Sequence, residues 1–258
     1  FDVSYSQLKK SLNRLPTIYE LSKIDHLHYN GTNAVDFAIN NTNINSQSLI
    51  LDIGSGIGGP ARYLAFKTNA KVFAVELQKE LNDIGVRITN EYKMQDKVFH
   101  FSQDIHKFSI KDKKFDCVLS WLALYHIPFR KKLLKKIFAV LKKNGFFYTE
   151  DFFLIDKLSQ KEKNNLGKFF HSNYLVEYDK YLRDLESAGF SIISHKDMSE
   201  NWINFTRERL LSYKKNYEKN ISLYGIRTTK NVLNFYQFAY DLLESKKIGG
   251  ISFNSIKP

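Results

Sequence analysis

The chain has 258 residues, of which 43% are hydrophobic and 15% aromatic, and it carries a formal net charge of +12 at pH 7. This length and apolar content predict a single folded domain with a sizeable core and exclude a disordered chain. No apolar run approaches the roughly 18 residues that cross a bilayer, so we predict no membrane span. The one cysteine, Cys117, lies in the apolar run FDCVL and cannot close an intramolecular disulfide, which favours a reducing, cytoplasmic location.

The first 30 residues have a helical pattern, and apolar strands then alternate with helices. The strands are predicted at residues 48–54, 71–77, 98–104, 115–124 and 145–154. Strands of this kind, separated by helices of about 10 to 15 residues, predict a parallel sheet that is covered on both faces.

The densest basic segment, residues 130–143, forms the crossover before the fifth strand and reads RKKLLKKIFAVLKK. Its apolar residues keep helical spacing while lysines fill the other face, which is typical of a surface helix packed on a sheet. A polyanionic partner is the alternative, because clustered Lys and Arg attract phosphate backbones. No nucleic-acid motif accompanies the cluster, so we predict no nucleic-acid partner.

The pattern changes after Leu154. Two helices follow, and the second of them ends at Gly189. A strand is then predicted at 190–198, a long helical piece at 200–247 and a short alternating strand at 251–256. We predict one domain over residues 1–258, with a ligand-binding core at 48–153. The segments 1–40 and 200–247 are predicted to form a lid over the carboxyl edge of the sheet, where ligands bind in such folds.

The turn after the first strand, LDIGSGIGGPARYL at residues 51–64, fits two motifs. Gly54, Gly56 and Gly59 fit the dinucleotide pattern G-x-G-x-x-G, whereas Asp52 with Gly54, Gly56 and Gly58 fits D-x-G-x-G-x-G, a loop that binds a methyl donor. Asp52 favours the second, because its carboxylate would repel a diphosphate at the helix N-terminus and attract the ammonium and sulfonium groups of S-adenosylmethionine.

Two further acids follow the next strands. Glu76 ends the second strand, 24 residues after Asp52, and is placed to accept hydrogen bonds from ribose hydroxyls of either cofactor. Asp104, in SQDI after the third strand, can accept from an adenine amino group while Ile105 covers the ring. This third acid favours the methyl donor.

Together, LDIGSGIGG, AVEL, QDI and FDCVLSWLALYHI resemble a class I S-adenosylmethionine-dependent methyltransferase over about residues 48–153. Within that superfamily the chain is similar to small-molecule N-methyltransferases of the phosphoethanolamine and sarcosine/dimethylglycine types, whose N-terminal segment resembles residues 19–36. The resemblance implies an α/β fold: a doubly wound, mostly parallel, seven-stranded Rossmann-like sheet whose antiparallel seventh strand is 251–256.

The resemblance also implies roles for individual residues. Asp52 and the glycine backbone hold the methionine end of S-adenosylmethionine, Glu76 the ribose, and Leu77 the second adenine face. The predicted cofactor set is Asp52, Gly54, Ser55, Gly56, Glu76, Leu77, Asp104, Ile105 and Ser120, with S-adenosylhomocysteine as the product and no metal site.

Tyr19 and His126 are the predicted catalytic residues, since Tyr19 matches a substrate-side tyrosine of the phosphobase enzymes and His126 matches their histidine near the transferred methyl. His126 could take the proton of an amine acceptor, and a structural histidine is the alternative. The predicted acceptor pocket consists of Tyr19, His28, Tyr29, Trp121, His171 and Tyr174, with ordinary aromatic packing as the alternative for each.

The sequence does not identify the methyl acceptor. Trp121 and Leu122 stand where phosphobase enzymes carry charged residues, which favours an acceptor less polar than phosphoethanolamine. A carbon or oxygen methyltransferase of a sterol, quinone or fatty acyl chain is the alternative enzyme, and a non-catalytic cofactor-binding subunit is the alternative that is not an enzyme. SWLA lacks the D/N/S-P-P-Y/F motif of base N-methyltransferases, and Cys117 is misplaced for cytosine C5 chemistry.

Overall fold

The computed structural model describes residues 1–110, 114–171 and 174–258. Across these ranges seven strands form one sheet in the order β3-β2-β1-β4-β5-β7-β6. The strands are β1 Leu49–Ile53, β2 Lys71–Glu76, β3 Val98–Ser102, β4 Phe115–Trp121, β5 Leu141–Leu154, β6 Ser191–Asp197 and β7 Ile248–Ile256.

Strands β1 to β5 are parallel, and β7 lies antiparallel between β5 and β6. The predicted doubly wound, mostly parallel seven-stranded sheet is therefore confirmed, including its antiparallel last strand. The strand order reverses between β1 and β4, and the crevice at such a switch point is where open α/β sheets bind ligands.

Helices cover both faces of the sheet. They are α1 Asp2–Leu12, α2 Ile18–Asp25, α3 Thr32–Asn41, α4 Gly59–Thr68, α5 Lys79–Glu91, α6 Arg130–Val140, α7 Gln160–Phe170, α8 Tyr178–Ser187, α9 Ser199–Lys215, α10 Tyr217–Tyr224 and α11 Ile226–Glu244, with a 3₁₀ turn at Leu124–His126. Among the described residues, no helix combines the length and the apolar character that a bilayer crossing requires.

The basic helix α6 packs on the sheet as its pattern predicts, with Leu133, Leu134 and Ile137 buried. It ends at Val140 rather than at residue 143, because Leu141 is buried opposite Phe115 and begins β5. The lysines of the segment 130–143 therefore lie partly on a helix and partly on a strand.

A buried ion pair fixes the N-terminal helix α2 to α4. Arg62 of α4 is fully buried, and its Nη2 donates to Asp25 Oδ2 at the end of α2 over 2.9 Å. Its Nη1 donates to the carbonyl of Gly85 and to Thr89 Oγ1, each over 3.3 Å. One guanidinium thus joins α2, α4 and α5.

We expect Arg62→Leu to lower the free energy of unfolding by about 3 to 5 kcal/mol, because it leaves the buried Asp25 carboxylate without its partner. Urea unfolding followed by circular dichroism measures the change. Lys79→Leu is the control, since Lys79 and Asp83 form an exposed pair, which we expect to contribute at most about 1 kcal/mol. Equal losses in the two variants would contradict the anchoring role.

The two helical segments at 1–41 and 199–244 meet over β5 and β7. Tyr29 stacks on Trp202 of α9 at a centroid distance of 4.1 Å, and the Trp202 ring stands edge-on to Phe152 of β5. Gly250 of β7 lies so close beneath this ring that a Cβ there would come within 2.4 Å of it. This contact is compatible with a lid, and the lid role stays a prediction.

Candidate active site

The glycine turn after β1 bends sharply at the switch point. Gly54, Gly56 and Gly58 have positive φ angles of 71°, 54° and 76°, which residues with a side chain rarely adopt. A Cβ on Gly54 would lie 2.2 Å from the Cβ of Ala123, so this glycine lets the turn approach the segment that follows β4.

Two carboxylates lie directly beneath this turn. Asp52 is 2% exposed, and its Oδ2 has no hydrogen-bond partner among the described residues. Glu76 accepts hydrogen bonds from the amides of Gly56 (2.9 Å) and Gln78 (2.8 Å). Burial, followed by the charge of Glu76, raises the pKa of Asp52 to about 7.

This arrangement fits a cationic nucleoside better than a diphosphate. The unpartnered Asp52 oxygen and the nearby Glu76 charge would both be stabilised by a positive group at the turn, whereas an anion would add repulsion. The hydroxyl of Ser55 and the Oδ1 of Asn82 are also buried and without a partner in the described structure, so polar atoms remain for a ligand to engage.

The predicted adenine residues differ in their surroundings. Leu77 is 70% exposed and can cover a flat ring, whereas Ile105 is buried in the core between the sheet and α6. One oxygen of Asp104 accepts from the amide of His106 over 2.8 Å. Ser120 is fully buried, and its hydroxyl donates to the carbonyl of Ile53 over 3.0 Å, so it joins β1 and β4 at the switch point. Their roles in cofactor binding stay predictions.

His126 lies half-buried in the 3₁₀ turn after β4. Burial lowers its pKa to about 4, and the nearby His171 contributes an opposing backbone hydrogen bond as well as a smaller charge repulsion. Its ring lies 3.9 Å from that of Tyr125. His126 is therefore neutral at pH 7, with a free lone pair, and is a weaker base than a solvated imidazole.

The structure does not bring Tyr19 and His126 together. The Tyr19 ring, 48% exposed, stands edge-on to Tyr63 and Phe66 of α4 at 5.7 and 5.6 Å, and its described ring contacts do not include His126. A capping box between Thr17 and Glu20 fixes the start of α2. The catalytic and acceptor roles of Tyr19 stay predictions without a supporting contact.

Three of the other predicted acceptor residues lie near one another under the helices. His28 stacks on Trp121 at 5.6 Å, and Tyr29 packs edge-on to Phe152 at 5.9 Å. Thr206 of α9 donates a hydrogen bond to the Tyr29 hydroxyl over 3.1 Å. His171 and Tyr174 are exposed in the segment after α7, where His171 lies beside His126.

Sequence reasoning missed the buried acid Glu150. It is 3% exposed in β5, directly opposite Trp121 in the strand register. The hydroxyl of Tyr148 donates to its Oε1 over 2.7 Å. The signal was available in FFYTEDFF, since a carboxylate inside an apolar strand requires a partner or a function. Its neighbour Asp151 likewise accepts a hydrogen bond from one tyrosine hydroxyl, that of Tyr181, over 2.7 Å.

A groove of about 620 Å³ lies between α1 and the helices α9 to α11. Phe205, one of its lining residues, packs against Tyr29 at 5.2 Å. Arg209 also lines the groove, with its guanidinium 4.7 Å from the centre of the Phe205 ring. One wall of the groove is therefore a ring that packs against Tyr29.

The glycine turn, the acids beneath it and the third strand all lie in a segment that matches one recognised family. Residues 51–149 match the family described as "Methyltransferase domain". The match includes Asp52, Glu76, Asp104 and His126 and ends just before Glu150.

Curated relatives include both N- and C-methyltransferases. The chain is 24% identical over 172 residues to the sterol 24-C-methyltransferase of Clavispora lusitaniae, covering 64% of this chain and 45% of that protein. It is 27% identical over 150 residues to the sarcosine/dimethylglycine N-methyltransferase of Halorhodospira halochloris, covering 58% of this chain and 54% of that protein. The chain thus spans about half the length of these relatives.

A solved structure shares the fold over most of the chain. Phosphoethanolamine N-methyltransferase 2 of Haemonchus contortus, crystallised with phosphomonomethylethanolamine and S-adenosylhomocysteine, superposes with a TM-score of 0.81 at 19% identity. The superposition covers 88% of this chain and 52% of that one. The predicted Rossmann-like fold is therefore confirmed. The family match over residues 51–149 supports the predicted S-adenosylmethionine-dependent methyltransferase, and the acceptor is a separate question.

Proposed function

We propose that the chain is an S-adenosylmethionine-dependent methyltransferase that methylates the nitrogen of a small-molecule amine. The observation that carries the choice of nitrogen is His126, a neutral, half-buried histidine in the segment that Gly54 brings against the cofactor turn. A protonated amine has to lose a proton before its lone pair can attack the methyl group, whereas an acceptor that reacts through a carbon–carbon double bond loses none before methyl transfer.

Methyl transfer requires mainly that the acceptor and the methyl donor are aligned. When bound, S-adenosylmethionine supplies an electrophilic methyl group, and the chain has to hold the acceptor lone pair in line with it. Most alkylamines are protonated at neutral pH, so His126 accepts the amine proton directly or through water. The aromatic side chains of Tyr29, Trp121 and Tyr125 favour a cationic product through their ring faces and exclude water from the site.

A carbon or oxygen methyltransferase of a lipid-like acceptor is the second candidate. The similarity to sterol 24-C-methyltransferases supports it, as do the apolar residues Trp121, Leu122 and Phe152 near the carboxyl edge. A non-catalytic cofactor-binding subunit is the third candidate. The intact pair of acids at the turn, Asp52 and Glu76, makes it the least favoured of the three.

Incubation of the protein with methyl-labelled S-adenosylmethionine and a metabolite extract, followed by mass spectrometry, tests the proposal. We expect label on a small amine and loss of that product in His126→Ala. His195→Ala is the matched control, because His195 is an exposed histidine of β6 far along the sheet. Label on a sterol, quinone or acyl lipid instead would favour the second candidate, and cofactor binding without any labelled product would favour the subunit.

A further inference from the structure

Three buried side chains on one face of the sheet each have a polar atom without a partner in the described structure. These atoms are His28 Nε2, Trp121 Nε1 and Glu150 Oε2. The three residues are 7%, 6% and 3% exposed. An unpaired buried polar atom destabilises the fold, so three in neighbouring residues indicate a place where a ligand completes the hydrogen bonding.

The strand register brings these residues together. Trp121 ends β4 and lies directly opposite Glu150 of β5, so the two side chains are neighbours on the same face at the carboxyl edge. The His28 ring stacks on Trp121 with an interplanar angle of 23°. Along β5 the flanking residues on this face are Tyr148 and Phe152, both buried.

The hydrogen-bonding character of the three atoms is set by their surroundings. His28 Nδ1 lies 2.8 Å from the carbonyl of Tyr29, so Nδ1 carries the proton and Nε2 keeps its lone pair. Burial, followed by the charge of His26, lowers the pKa of His28 to about 3, which keeps the ring neutral. Glu150 Oε2 is a second acceptor, and the Trp121 indole adds one donor.

Two acceptors, one of them a carboxyl oxygen, select for a group that carries N–H bonds and positive charge. A phosphate or carboxylate would meet the lone pairs of His28 and Glu150, and a hydrocarbon would leave all three atoms unpaired. The single indole donor fits a hydroxyl oxygen of the same molecule. The set therefore matches an amino alcohol better than an anionic or a purely apolar acceptor.

We propose that His28, Trp121 and Glu150, called here the amine subsite, bind the protonated amino group and a neighbouring oxygen of the acceptor, with Glu150 determining the preference for an amine. This inference rests on the proposed function, since it names the substrate class of the same site. Burial raises the pKa of Glu150 to about 7, against the hydrogen bond from Tyr148, and an ammonium group beside it would favour the ionised carboxylate.

Binding of two isosteric probe pairs to the protein saturated with S-adenosylhomocysteine tests the subsite. The pairs are dimethylaminoethanol against 3-methyl-1-butanol, and N-methylethanolamine against 1-butanol, titrated by ligand-observed NMR. We expect each amine to bind about tenfold more tightly than its neutral partner, as one charge-assisted hydrogen bond provides. We expect Glu150→Gln to abolish this preference, and Glu186→Gln, at an exposed acid of α8, to keep it.

A second variant, His28→Phe, tests the subsite independently in case Glu150→Gln does not fold. His28→Phe retains an aromatic ring on Trp121 and removes the Nε2 acceptor, so we expect a reduced amine preference with unchanged affinity for S-adenosylhomocysteine. Equal binding of amine and neutral probe, no amine binding, or full preference in a folded Glu150→Gln or His28→Phe variant would overturn the subsite. Methyl transfer to a neutral acceptor alone would refute amine methylation, whereas amine binding without any transfer would leave the subsite standing and refute the activity.

Discussion

Replacement of Asp52 by Asn is expected to weaken the binding of S-adenosylhomocysteine by about 10- to 100-fold, because a charge-assisted hydrogen bond to the ligand ammonium group is replaced by a neutral one. The effect is large because Asp52 is buried beside Glu76 and has an oxygen without a partner in the residues described. Isothermal titration calorimetry measures the affinity. Asp96→Asn is the control, since Asp96 is an exposed acid in the connection to β3.

The same residue predicts a pH dependence. The pKa of Asp52 is raised to about 7, so between pH 4 and 7 the folded protein holds a proton that the unfolded chain has lost, and stability falls as pH rises through this window. A cationic ligand favours the ionised carboxylate, so its binding releases a proton near pH 7 and tightens as pH rises towards 8. Titrations in two buffers of different ionisation enthalpy detect this proton, and its persistence in Asp52→Asn would refute the assignment.

The sheet could be predicted because its signals are local. Each buried parallel strand is a continuous apolar run, and the glycine turn and Gly189 mark where strands and helices end. The position of Asp52 and Glu76 follows as well, since β1 and β2 are neighbours and end at the same edge. Asp104 follows β3 at that edge for the same reason.

The acceptor side could be predicted only in part, because it depends on how residues 18–41 pack on the sheet. His28 and Trp121 are 93 positions apart and stack through tertiary packing alone. Tyr19 matches a family position, yet it packs against α4, a direction that the sequence spacing does not specify. The apolar context of Glu150 is visible in the sequence, but its position opposite Trp121 follows from the register between β4 and β5 and not from a motif.

His126→Ala is expected to lower turnover with an amine acceptor by about 10²- to 10⁴-fold, the usual contribution of a positioned general base. The affinity for S-adenosylhomocysteine should stay unchanged, because the described contacts of His126 are with Tyr125 and His171 and not with the glycine turn. His195→Ala should retain wild-type turnover. Steady-state kinetics at saturating cofactor, together with addition of imidazole to restore a base, provide the measurement.

The pH profile separates a base from a structural histidine. With its pKa lowered to about 4, His126 is neutral from pH 6 upwards, so its contribution to turnover should be constant there and fall only as pH approaches 4. The unfolded chain binds the proton near pH 6.5, so stability due to His126 is present above that pH and is lost as pH falls towards 4. A structural histidine would change this stability profile in His126→Ala while turnover per folded molecule stayed at the wild-type value. A base would change turnover at every pH above 6, and imidazole would restore part of it.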